Sequence, residues 1–343
     1  MFIAVDAMGG DHAPREVVSG AVQVAREQGT QILLVGNSAL LESELRRLGA
    51  SSLKEIEIVH AEEVVGMDEP AVTPLRKKKR SSIRICADLV KKGRAQAMVS
   101  AGNTGAVMIS AKMVLGTIEG VDRPALAAEF PNPQGRTVVL DVGANVDTKP
   151  SQLREFAVMG HFYSQEINGI HSPRIGLMSI GEEETKGTGK TRVAFQVLQE
   201  TGLNFVGNVE GRDVFSGSVD VIVCDGFVGN VLLKSAEAVA ELIKTMLRRE
   251  LQKSPLRQIG ALLARPAFED LAKRTDYREY GAAPLLGLRG GCFIAHGRSN
   301  STAIKNSIRR AEEFVAAETP EKIRAKVAQL HNEEKRLLGD SEL

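Results

Sequence analysis

Five glycine-rich polar segments mark the places along the chain where the backbone itself can bind an anion. They are residues 8–11, 100–105, 141–145, 181–187 and 225–230. Each comes at or just after the end of a short apolar run, and open α/β sheets bind ligands outside the carboxyl ends of their strands. Glycines admit close backbone approach, and helix N-termini present free N–H groups to anions. Tight turns explain any single segment, but the five together predict a ligand-binding site.

The familiar nucleotide and hydrolase fingerprints do not occur in these segments. Residues 187–191 (GTGKT) look like the end of a P-loop, but the required first glycine falls at Glu184. No G-x-G-x-x-G follows the first apolar run, so the usual NAD-binding fold is not indicated. A G-x-S-x-G elbow is also missing, and the sequence therefore gives no support to a serine acyl-enzyme.

Short apolar runs alternate with segments of helical period, which indicates an α/β fold. The predicted strands are residues 2–6, 32–36, 55–60, 97–100, 137–141, 174–180, 204–206 and 219–224. The predicted helices include residues 14–27, 81–92, 151–167, 192–199, 301–317 and 320–338. This alternation predicts a largely parallel sheet with helices on both faces. Thr319 is the predicted N-cap of the last helix, and residues 281–297 read as a glycine-rich turn.

Composition places the chain among ordinary globular proteins. Its 343 residues are 43% hydrophobic and 25% charged, which argues against disordered, collagen-like and disulfide-scaffold classes. Only 4% are aromatic and Trp is absent, so base-stacking platforms for nucleic acid are not expected. The formal net charge of +1 supplies no global attraction for DNA or membranes. No linker or repeat divides the chain, so residues 1–343 are expected to form one domain.

The cysteines and the N-terminal residues predict a reducing, cytoplasmic location. Cys86, Cys224 and Cys292 are 138 and 68 residues apart, which excludes CxxC metal knuckles and redox pairs. The first apolar run has no basic segment before it and is broken at Asp6, unlike a signal peptide. No stretch approaches the roughly 18 apolar residues of a membrane-spanning helix.

A helical arm is predicted at about residues 231–280. Residues 231–251 form one long helical stretch, and a second helical piece is interrupted at Pro255 and Pro266. Residues 254–264 form a short amphipathic helix within it. Its apolar face consists of Leu256, Ile259, Leu262 and Leu263. This face predicts contact with a membrane surface, with packing against a partner subunit or the core as the alternative.

The glycine-rich segments and their neighbours closely resemble, in order, the motifs of the bacterial phosphate acyltransferase family of phospholipid synthesis. The motifs read VDAMGGD, SAGNTGA, DVGAN, IGEE with KG, CDGFVGN, and GAAPLLGLRG followed by AHGRS. The resemblance spans residue 2 to about residue 317, and the motifs in combination are highly specific. It implies an enzyme that makes an acyl phosphate from an acyl carrier protein thioester and inorganic phosphate.

The resemblance also implies an architecture and a set of partners. The family fold is similar to those of phosphotransacetylases and isopropylmalate dehydrogenases, so we expect a three-layer α/β/α sandwich with a mostly parallel sheet. A homodimer is also implied. The histidine spacings predict no metal site, although dehydrogenases of similar fold use a metal, and no cofactor is expected. Because the acyl product is destined for phospholipid, peripheral membrane contact and a downstream membrane glycerol-phosphate acyltransferase are further expectations.

Attack of phosphate on a thioester needs an anion pocket and a site for the oxyanion of the tetrahedral intermediate. A thiol has a pKa near ~8.5, so the thiolate leaves readily and strong acid catalysis is optional. The first choice for binding phosphate or the oxyanion is the segment that begins at Ser100, because Gly102 and Gly105 expose the N–H groups of a nascent helix. Asn103, a predicted catalytic residue, and Thr104 can donate hydrogen bonds directly.

Charged residues of the other segments are expected to complete the site. Lys186, beside Gly187, is the best cation to neutralise phosphate, with Lys190 as runner-up and a solvated lysine as the alternative. One of Asp6, Asp141 and Asp225 is predicted to accept the phosphate proton, with Asp225 as the catalytic choice and a structural Asx turn as the alternative for each. His296 is predicted to protonate the departing sulfur, with helix capping or packing as the alternative. The remaining substrate-binding residues are expected to be Asp6, Gly9, Gly10, Asp11, Asp141, Gly143, Asn145, Gly226, Gly229 and Asn230.

A basic segment is the predicted docking site for the acidic acyl carrier protein. Residues 76–94 hold nine basic residues against Asp88 alone, a local charge of +8. The predicted docking residues are Arg76, Lys77, Lys78, Lys79 and Arg80. A solvated basic helix is the alternative. Nucleic acid is not the expected partner, because no aromatic residue is interleaved with the basic ones.

Three other functional classes stay open at this point. A metal- and NAD-dependent decarboxylating dehydrogenase has a similar fold, and an NAD-dependent absorbance change would identify it. A phosphotransacetylase would accept acyl-coenzyme A in place of the acyl carrier protein. A non-catalytic scaffold would bind phosphate and carrier protein without turning over either.

Overall fold

The computed structural model describes residues 1–275 and 281–339. The strands are β1 (Phe2–Asp6), β2 (Gln31–Gly36), β3 (Ile56–His60), β4 (Ala97–Ser100), β5 (Ala125–Asn132), β6 (Gly135–Leu140), β7 (Ile175–Met178), β8 (Phe205–Val209), β9 (Val221–Val223), β10 (Ala283–Leu286) and β11 (Gly291–Ile294). The helices are α1 (Arg15–Gln28), α2 (Ser38–Arg47), α3 (Thr73–Arg76), α4 (Ser82–Lys91), α5 (Thr104–Leu115), α6 (Pro150–Asn168), α7 (Gly189–Gln199), α8 (Gly226–Leu251), α9 (Pro255–Leu263), α10 (Arg265–Thr275), α11 (Ser301–Ala316) and α12 (Thr319–Gly339).

The strands form a single sheet in the order β3-β2-β1-β4-β11-β10-β5-β6-β9-β7-β8. The first block, β3, β2, β1, β4 and β11, is parallel throughout, and so is the second block, β6, β9, β7 and β8. Three successive pairings between the blocks, β11–β10, β10–β5 and β5–β6, are antiparallel. Three reversals leave the two blocks running in opposite directions, so their carboxyl ends point toward opposite edges of the sheet.

Helices cover both faces of the sheet. Buried residues of α1, α2, α6, α7, α11 and α12 form one hydrophobic cluster with the strands. Buried residues of α4 and α5 form the cluster on the other face, and the first turns of α8 pack against it. The predicted three-layer α/β/α sandwich with a mostly parallel sheet is therefore confirmed.

All eight predicted strands are present, with ends that differ by a few residues, but β5, β10 and β11 were not predicted. Residues 281–297, predicted as a glycine-rich turn, contain β10 and β11 near the centre of the sheet. Each has only four residues, and Pro284 and the sequence GLRGG resemble turn sequences. Burial between two helical layers overrides these weak local preferences.

The helical arm starts earlier than predicted, because α8 begins at Gly226 rather than at residue 231. Ser254 caps α9 as predicted, with its Oγ accepting a hydrogen bond from Arg257 N at 3.3 Å. The four apolar residues of the α9 face are exposed, Leu256 by 80% and Leu263 by 78%. Residues 276–280 of the predicted arm lie outside the described residues. In the described ranges, no helix combines the length and the apolar character needed to cross a membrane.

The predicted cap of the last helix is wrong. Thr319 is the first residue of α12 itself, preceded by Glu318 at a φ of +52°. The buried Oγ1 of Thr319 has no hydrogen-bond partner among the described residues, so Thr319 does not cap the helix.

Candidate active site

Two loops of the first block meet at the carboxyl ends of β1 and β4. Ser100 Oγ donates a hydrogen bond to Asp6 Oδ2 at 2.6 Å. A Cβ atom at Gly9 would lie only 2.6 Å from the backbone nitrogen of Gly102. Glycine at this position therefore allows the two backbones to touch, and Asp6 ties the two loops together.

The loop after β11 packs against the loop after β1. Asp11 N donates a hydrogen bond to the carbonyl oxygen of Gly297 at 2.8 Å. Gly10 has a φ of +103°, which favours glycine, and packs against the same carbonyl. These three loops, residues 6–11, 100–105 and 295–299, are called the first-block site below.

The N-terminus of α5 opens into the first-block site. Asn103 caps this helix, with its Oδ1 accepting from Ala106 N at 3.0 Å. Among the described residues, none accepts a hydrogen bond from the backbone N–H groups of Thr104 and Gly105. These two groups lie at the positive end of the helix dipole, where an anion is stabilised.

The Asn103 side chain does not reach into this opening. Its Nδ2 donates to the carbonyl oxygens of Met67 at 2.7 Å and Glu69 at 2.9 Å. Both amide hydrogens and the acceptor oxygen are thus used within the protein. In this structure Asn103 therefore holds the loop that precedes α3 against the α5 N-terminus.

Asp6, also predicted to bind substrate, holds two loops together in this structure. It is almost fully buried, and besides Ser100 it accepts a hydrogen bond from Met8 N at 3.2 Å. Burial raises the pKa of Asp6, although the hydrogen bond from Ser100 opposes this shift.

His296 lies in the first-block site among four charged residues. Its Nδ1 accepts a hydrogen bond from Arg298 N at 3.1 Å, so the neutral ring carries its proton on Nε2. Burial lowers the pKa of His296, Glu237 and Asp11 raise it, and Lys234 and Arg298 lower it further. The net decrease favours the neutral imidazole, with Nε2–H as a hydrogen-bond donor.

The second-block loops, residues 141–145 and 225–230, are stabilised by hydrogen bonds within the second block and to β5. The buried Asp141 carboxylate accepts hydrogen bonds from Leu126 N, Gly143 N, Ala144 N and both nitrogens of Asn145, at 2.6–3.2 Å. Burial raises the pKa of Asp141, and these hydrogen bonds oppose the increase. In this structure Asp141 and Asn145, both predicted to bind substrate, therefore bond to each other and to the surrounding backbone.

The N-terminus of α8 is closed, unlike that of α5. Asp225 Oδ1 accepts from Val228 N at 2.8 Å, and Gly226 N donates to Asn145 O at 2.7 Å. Gly229 packs directly on the Asp141 carbonyl. In this structure Asp225 thus caps α8, while Gly226 and Gly229 allow the helix to pack closely on the 141–145 loop.

Two predicted residues remain at the surface of the second-block loops. Gly143 has a φ of +140°, and a Cβ there would meet the Asn230 side chain at 3.6 Å. Asn230 is exposed. Neither residue has a described contact with the first-block site.

Lys186 follows β7 in the second block. It is exposed and packs along Gly181, while Gly187 contacts Thr191. Lys190, the runner-up cation, forms an ion pair with Asp147. No contact among the described residues joins Lys186 to the Ser100 loop, so the structure does not bring these predicted partners together.

Comparison with known proteins identifies the family. A family model described as "Fatty acid synthesis protein" matches residues 1–322. The phosphate acyltransferase of Heliobacterium modesticaldum is 52% identical over 92% of this chain and 94% of its own. That of Pelotomaculum thermopropionicum is 51% identical over 95% of each chain. The chain belongs to the phosphate acyltransferase family. The resemblance stated from the motifs is confirmed, and the dehydrogenase alternative is not favoured.

Solved structures confirm the predicted fold similarity. A phosphotransacetylase from Streptococcus pyogenes superposes with a TM-score of 0.62 at 18% identity, covering 92% of this chain and 94% of its own. A branched-chain phosphotransacylase from Enterococcus faecalis gives 0.55 at 14% identity, covering 92% and 99%. At these identities the similarity concerns the fold alone.

The basic segment of this phosphate acyltransferase is partly neutralised. Lys78 Nζ binds Glu69 Oε1 at 2.5 Å, and Arg80 pairs with Glu62 at 3.0 Å. Two of the five predicted docking residues therefore form ion pairs with carboxylates of the same chain. Arg76, Lys77 and Lys79 are exposed and have no ion pair with any described side chain.

The cysteines of the phosphate acyltransferase are not available as nucleophiles. Cys86, Cys224 and Cys292 are all buried. Burial raises the pKa of Cys292 to about 12 and those of the other two well above their usual range. A thiolate is the reactive form of cysteine, so none of them can form an acyl-enzyme readily.

Lys234 of α8, whose charge lowers the pKa of His296, was not identified from the sequence. The carbonyl oxygen of Met67, which accepts a hydrogen bond from Asn103, was not identified either. Lys234 lies inside an apolar helical stretch and belongs to no glycine-rich segment. Its proximity to His296 depends on how α8 crosses the sheet, so no local signal could have found it.

Proposed function

We propose that this chain transfers an acyl group from an acyl carrier protein thioester to inorganic phosphate in the first-block site, for phospholipid synthesis. The observation that carries the proposal is the contrast between two helix N-termini. At α5 the N–H groups of Thr104 and Gly105 are open, whereas the α8 N-terminus is occupied by Asp225 and Asn145. Phosphate is expected at α5 for this reason.

The reaction needs no covalent enzyme intermediate. A phosphate oxygen attacks the thioester carbonyl carbon, and the new C–O bond gives a tetrahedral oxyanion. The C–S bond then breaks, releasing acyl phosphate and the carrier thiolate. Holding the two reactants in contact can lower the barrier by roughly 7–11 kcal/mol, so positioning is sufficient as the main contribution. His296 Nε2–H lies in the same site as a donor to the oxyanion or the departing sulfur.

The acyl carrier protein is proposed to dock on Arg76, Lys77 and Lys79. Helix α3, which ends at Arg76, contacts α5, the helix whose N-terminus is the proposed phosphate site. A carrier bound there would lie beside the opening that its thioester must enter. Exposed charges of this kind act mainly on the association rate and its salt dependence.

The second half of α8 is proposed to pair with a second copy of the chain. Val239, Leu242, Ile243 and Met246 are more than half exposed and recur at the spacing of a helix-pairing seam. Glu241 and the basic residues further along α8 permit a self-complementary antiparallel contact. Sedimentation equilibrium is expected to give twice the chain mass of 36.9 kDa.

Helix α9, at the end of the arm, is proposed to contact the cytoplasmic membrane face reversibly. Its four exposed apolar residues form one side of an amphipathic helix. Arg257 pairs with Glu250 at 2.9 Å, so this residue contributes little attraction to anionic lipid. The enzyme would then work in the cytoplasm and deliver its product at the membrane surface, where the acceptor enzyme would use it.

Hydroxylamine trapping tests the reaction. The protein is incubated with long-chain acyl carrier protein, with or without phosphate, and acyl phosphate is captured as hydroxamate. We expect phosphate-dependent trapping with the carrier protein as the preferred donor. Equal or greater trapping from acyl-coenzyme A would favour a phosphotransacetylase, and no phosphate-dependent trapping from either donor would overturn the proposal.

A further inference from the structure

Residues 64–79 form a closed loop between β3 and α4, called the 64–79 loop below. Its two ends are joined, because Arg80 N donates a hydrogen bond to Glu63 Oε2 at 2.9 Å. Inside the loop, Lys78 Nζ donates to Glu69 Oε1 at 2.5 Å. Closed loops of this length are packed by their own side chains and are frequently functional.

The tip of the 64–79 loop lies across the first-block site. On one side, a Cβ atom at Gly105 would lie 2.9 Å from Ala71 Cβ, so the loop touches the first turn of α5. On the other side, a Cβ atom at Gly297 would lie 2.8 Å from Met67 Cε, the terminal methyl carbon. The 64–79 loop therefore spans the distance from the proposed phosphate site to the loop after β11.

The backbone of Met67 is fixed at this place, whereas its side chain is only partly covered. Asn103 Nδ2, at the N-terminus of α5, donates to Met67 O at 2.7 Å and to Glu69 O at 2.9 Å. The Met67 side chain is 41% exposed, and methionine is flexible and has no hydrogen-bond donor. Thr104, in the first turn of α5, is also exposed. The site is thus covered on the side of Met67 and open on the side of Thr104.

The proposed reaction needs a cover because water competes with phosphate for the thioester. Attack of water on the carbonyl carbon breaks the same C–S bond and gives a free fatty acid and the carrier thiol. Active sites suppress such hydrolysis by closing over the reactants and expelling water. An apolar side chain beside the carbonyl serves this purpose, because it offers water no hydrogen bond.

We infer that Met67 packs against the bound thioester arm of the carrier and determines the choice of phosphate over water as the nucleophile. This inference rests on the proposed function and adds a specificity-determining residue to it. The arm enters on the side of Thr104, and the Met67 side chain fills the space beside it. The proposed docking residues Arg76, Lys77 and Lys79 belong to the same 64–79 loop, so a docked carrier would present its arm next to Met67.

The test compares Met67→Ala, Met67→Leu and the control Met113→Ala, which removes an exposed methionine near the end of α5. Each protein receives acyl carrier protein thioester and phosphate, and the fatty acid and acyl phosphate formed are quantified in the same reaction. Spontaneous hydrolysis of acyl phosphate is measured separately and subtracted.

We expect Met67→Ala to form at least about tenfold more fatty acid per acyl phosphate than native protein, because water then reaches the carbonyl carbon. Met67→Leu should restore most of the native ratio, since leucine and methionine have similar volumes. Met113→Ala should match native protein. Partial unfolding lowers both products together and leaves their ratio unchanged, so a native ratio in Met67→Ala would overturn the inference.

A labelling experiment needs no turnover and separates this inference from the proposed function. The three native cysteines are buried, so the thiol of Met67→Cys is the one that a maleimide reaches first. Labelling is timed with carrier protein whose acyl group is joined by an unreactive amide, and with carrier protein that lacks the arm. The arm-bearing carrier should slow the labelling of Met67→Cys severalfold and leave that of Met113→Cys unchanged.

The outcomes distinguish the two claims. Slowed labelling of Met67→Cys together with no acyl transfer by native protein would leave the Met67 contact standing while the proposed reaction fails. Equal labelling of Met67→Cys with both carriers, in a protein that does transfer acyl groups to phosphate, would overturn the inference and leave the proposed function standing.

Discussion

At the scale of single residues, the polar groups nearest the strand ends bind the protein's own backbone. Asp6 and Asp141 each hold two or more loop segments, and Asn103 uses its whole amide group in the same way. The groups left open for a ligand are backbone N–H groups and the side chains that face them. Single substitutions are therefore expected to separate into those that loosen the site and those that remove a contact with substrate.

Asn103→Ala tests the positioning role. It removes the α5 cap and the two hydrogen bonds to Met67 O and Glu69 O, so the free energy of unfolding should fall by about 1–3 kcal/mol. Because small misplacements in an active site are costly, the acyl-transfer rate should fall about 10–100-fold. Urea unfolding and hydroxamate formation measure the two effects.

Asn37→Ala is the matched control, since Asn37 Oδ1 caps α2 by accepting from Leu40 N at 3.2 Å. It should lose comparable cap stability while keeping native activity. Equal activity in Asn103→Ala and Asn37→Ala would show that the Asn103 contacts do not position the site.

The buried carboxyl group of Glu155 is expected to make the free energy of unfolding depend on pH. This carboxyl is 6% exposed and accepts from Asp122 N at 2.9 Å. Burial, with a smaller contribution from the Asp122 charge, raises the pKa of Glu155 from 4.5 to about 7. Between these values the folded state keeps a proton that the unfolded chain has lost, so the free energy of unfolding falls as pH rises.

The loss attributable to Glu155 amounts to at most about 3 kcal/mol and is complete above pH 7. Glu155→Gln should abolish that part of the decrease between pH 5 and pH 8 in urea unfolding. Glu42→Gln, which removes an exposed carboxylate on α2, should keep the native pH dependence. The same pH dependence in Glu155→Gln and native protein would contradict the prediction.

At the scale of elements, the segment before α4 is held by its own ion pairs, and this changes which charges are worth reversing. Lys78 binds both Glu69 and the Val64 carbonyl, so reversing it would disturb the loop that rests on Asn103. The exposed residues Arg76, Lys77 and Lys79 can be changed without breaking a described ion pair.

Reversal of Arg76, Lys77 and Lys79 to Glu is expected to raise the KM for acyl carrier protein about tenfold at low salt. It should also flatten the dependence of kcat/KM on ionic strength, because screening then has no attraction to weaken. Steady-state kinetics from low to high salt measure both effects. Lys91 and Lys92, exposed at the end of α4, provide a control reversal that should leave both unchanged. An unaltered salt profile in the triple variant would assign this segment to solvation alone.

Helix α9 makes the second prediction at this scale. Leu256→Glu and Leu263→Glu each place a charge on its exposed apolar face, so co-sedimentation with anionic vesicles should fall severalfold. Full burial of a leucine contributes at most roughly 1.5–3 kcal/mol, and an interfacial helix gains less, so native binding should itself be reversible. Val193→Glu, on the exposed face of α7, is the control and should bind as native protein does. If both α9 variants co-sediment like native protein while staying folded, α9 is not the membrane contact.

At the scale of the whole molecule, the direction of the two strand blocks determines which loops share a site. Periodicity along the chain predicts the long strands and helices, because buried strands and amphipathic helices leave strong local patterns. The reversal between the blocks depends on β10 and β11, whose short Pro- and Gly-containing sequences carry no such pattern. The sequence alone therefore could not determine whether all five glycine-rich segments lie in one site.

The roles of the aspartates show the same limit. A strand-end Asp that binds a ligand and one that binds backbone N–H groups have the same sequence signature. The hydrogen bonds of Asp141 and Asp225 to backbone N–H groups become visible only once the structure places Asn145 and Val228 beside them. By contrast, the family motifs identified the chemistry, because their order and combination are specific.

The central claim is that phosphate attacks the carrier thioester directly, with no acyl-enzyme intermediate. The most direct measurement is the pre-steady-state release of the acyl carrier protein thiol at increasing phosphate concentration. Our account predicts thiol release only when phosphate is present, with one acyl phosphate formed for each thiol. A burst of about one thiol per active site in the absence of phosphate would reveal an acyl-enzyme and contradict the account.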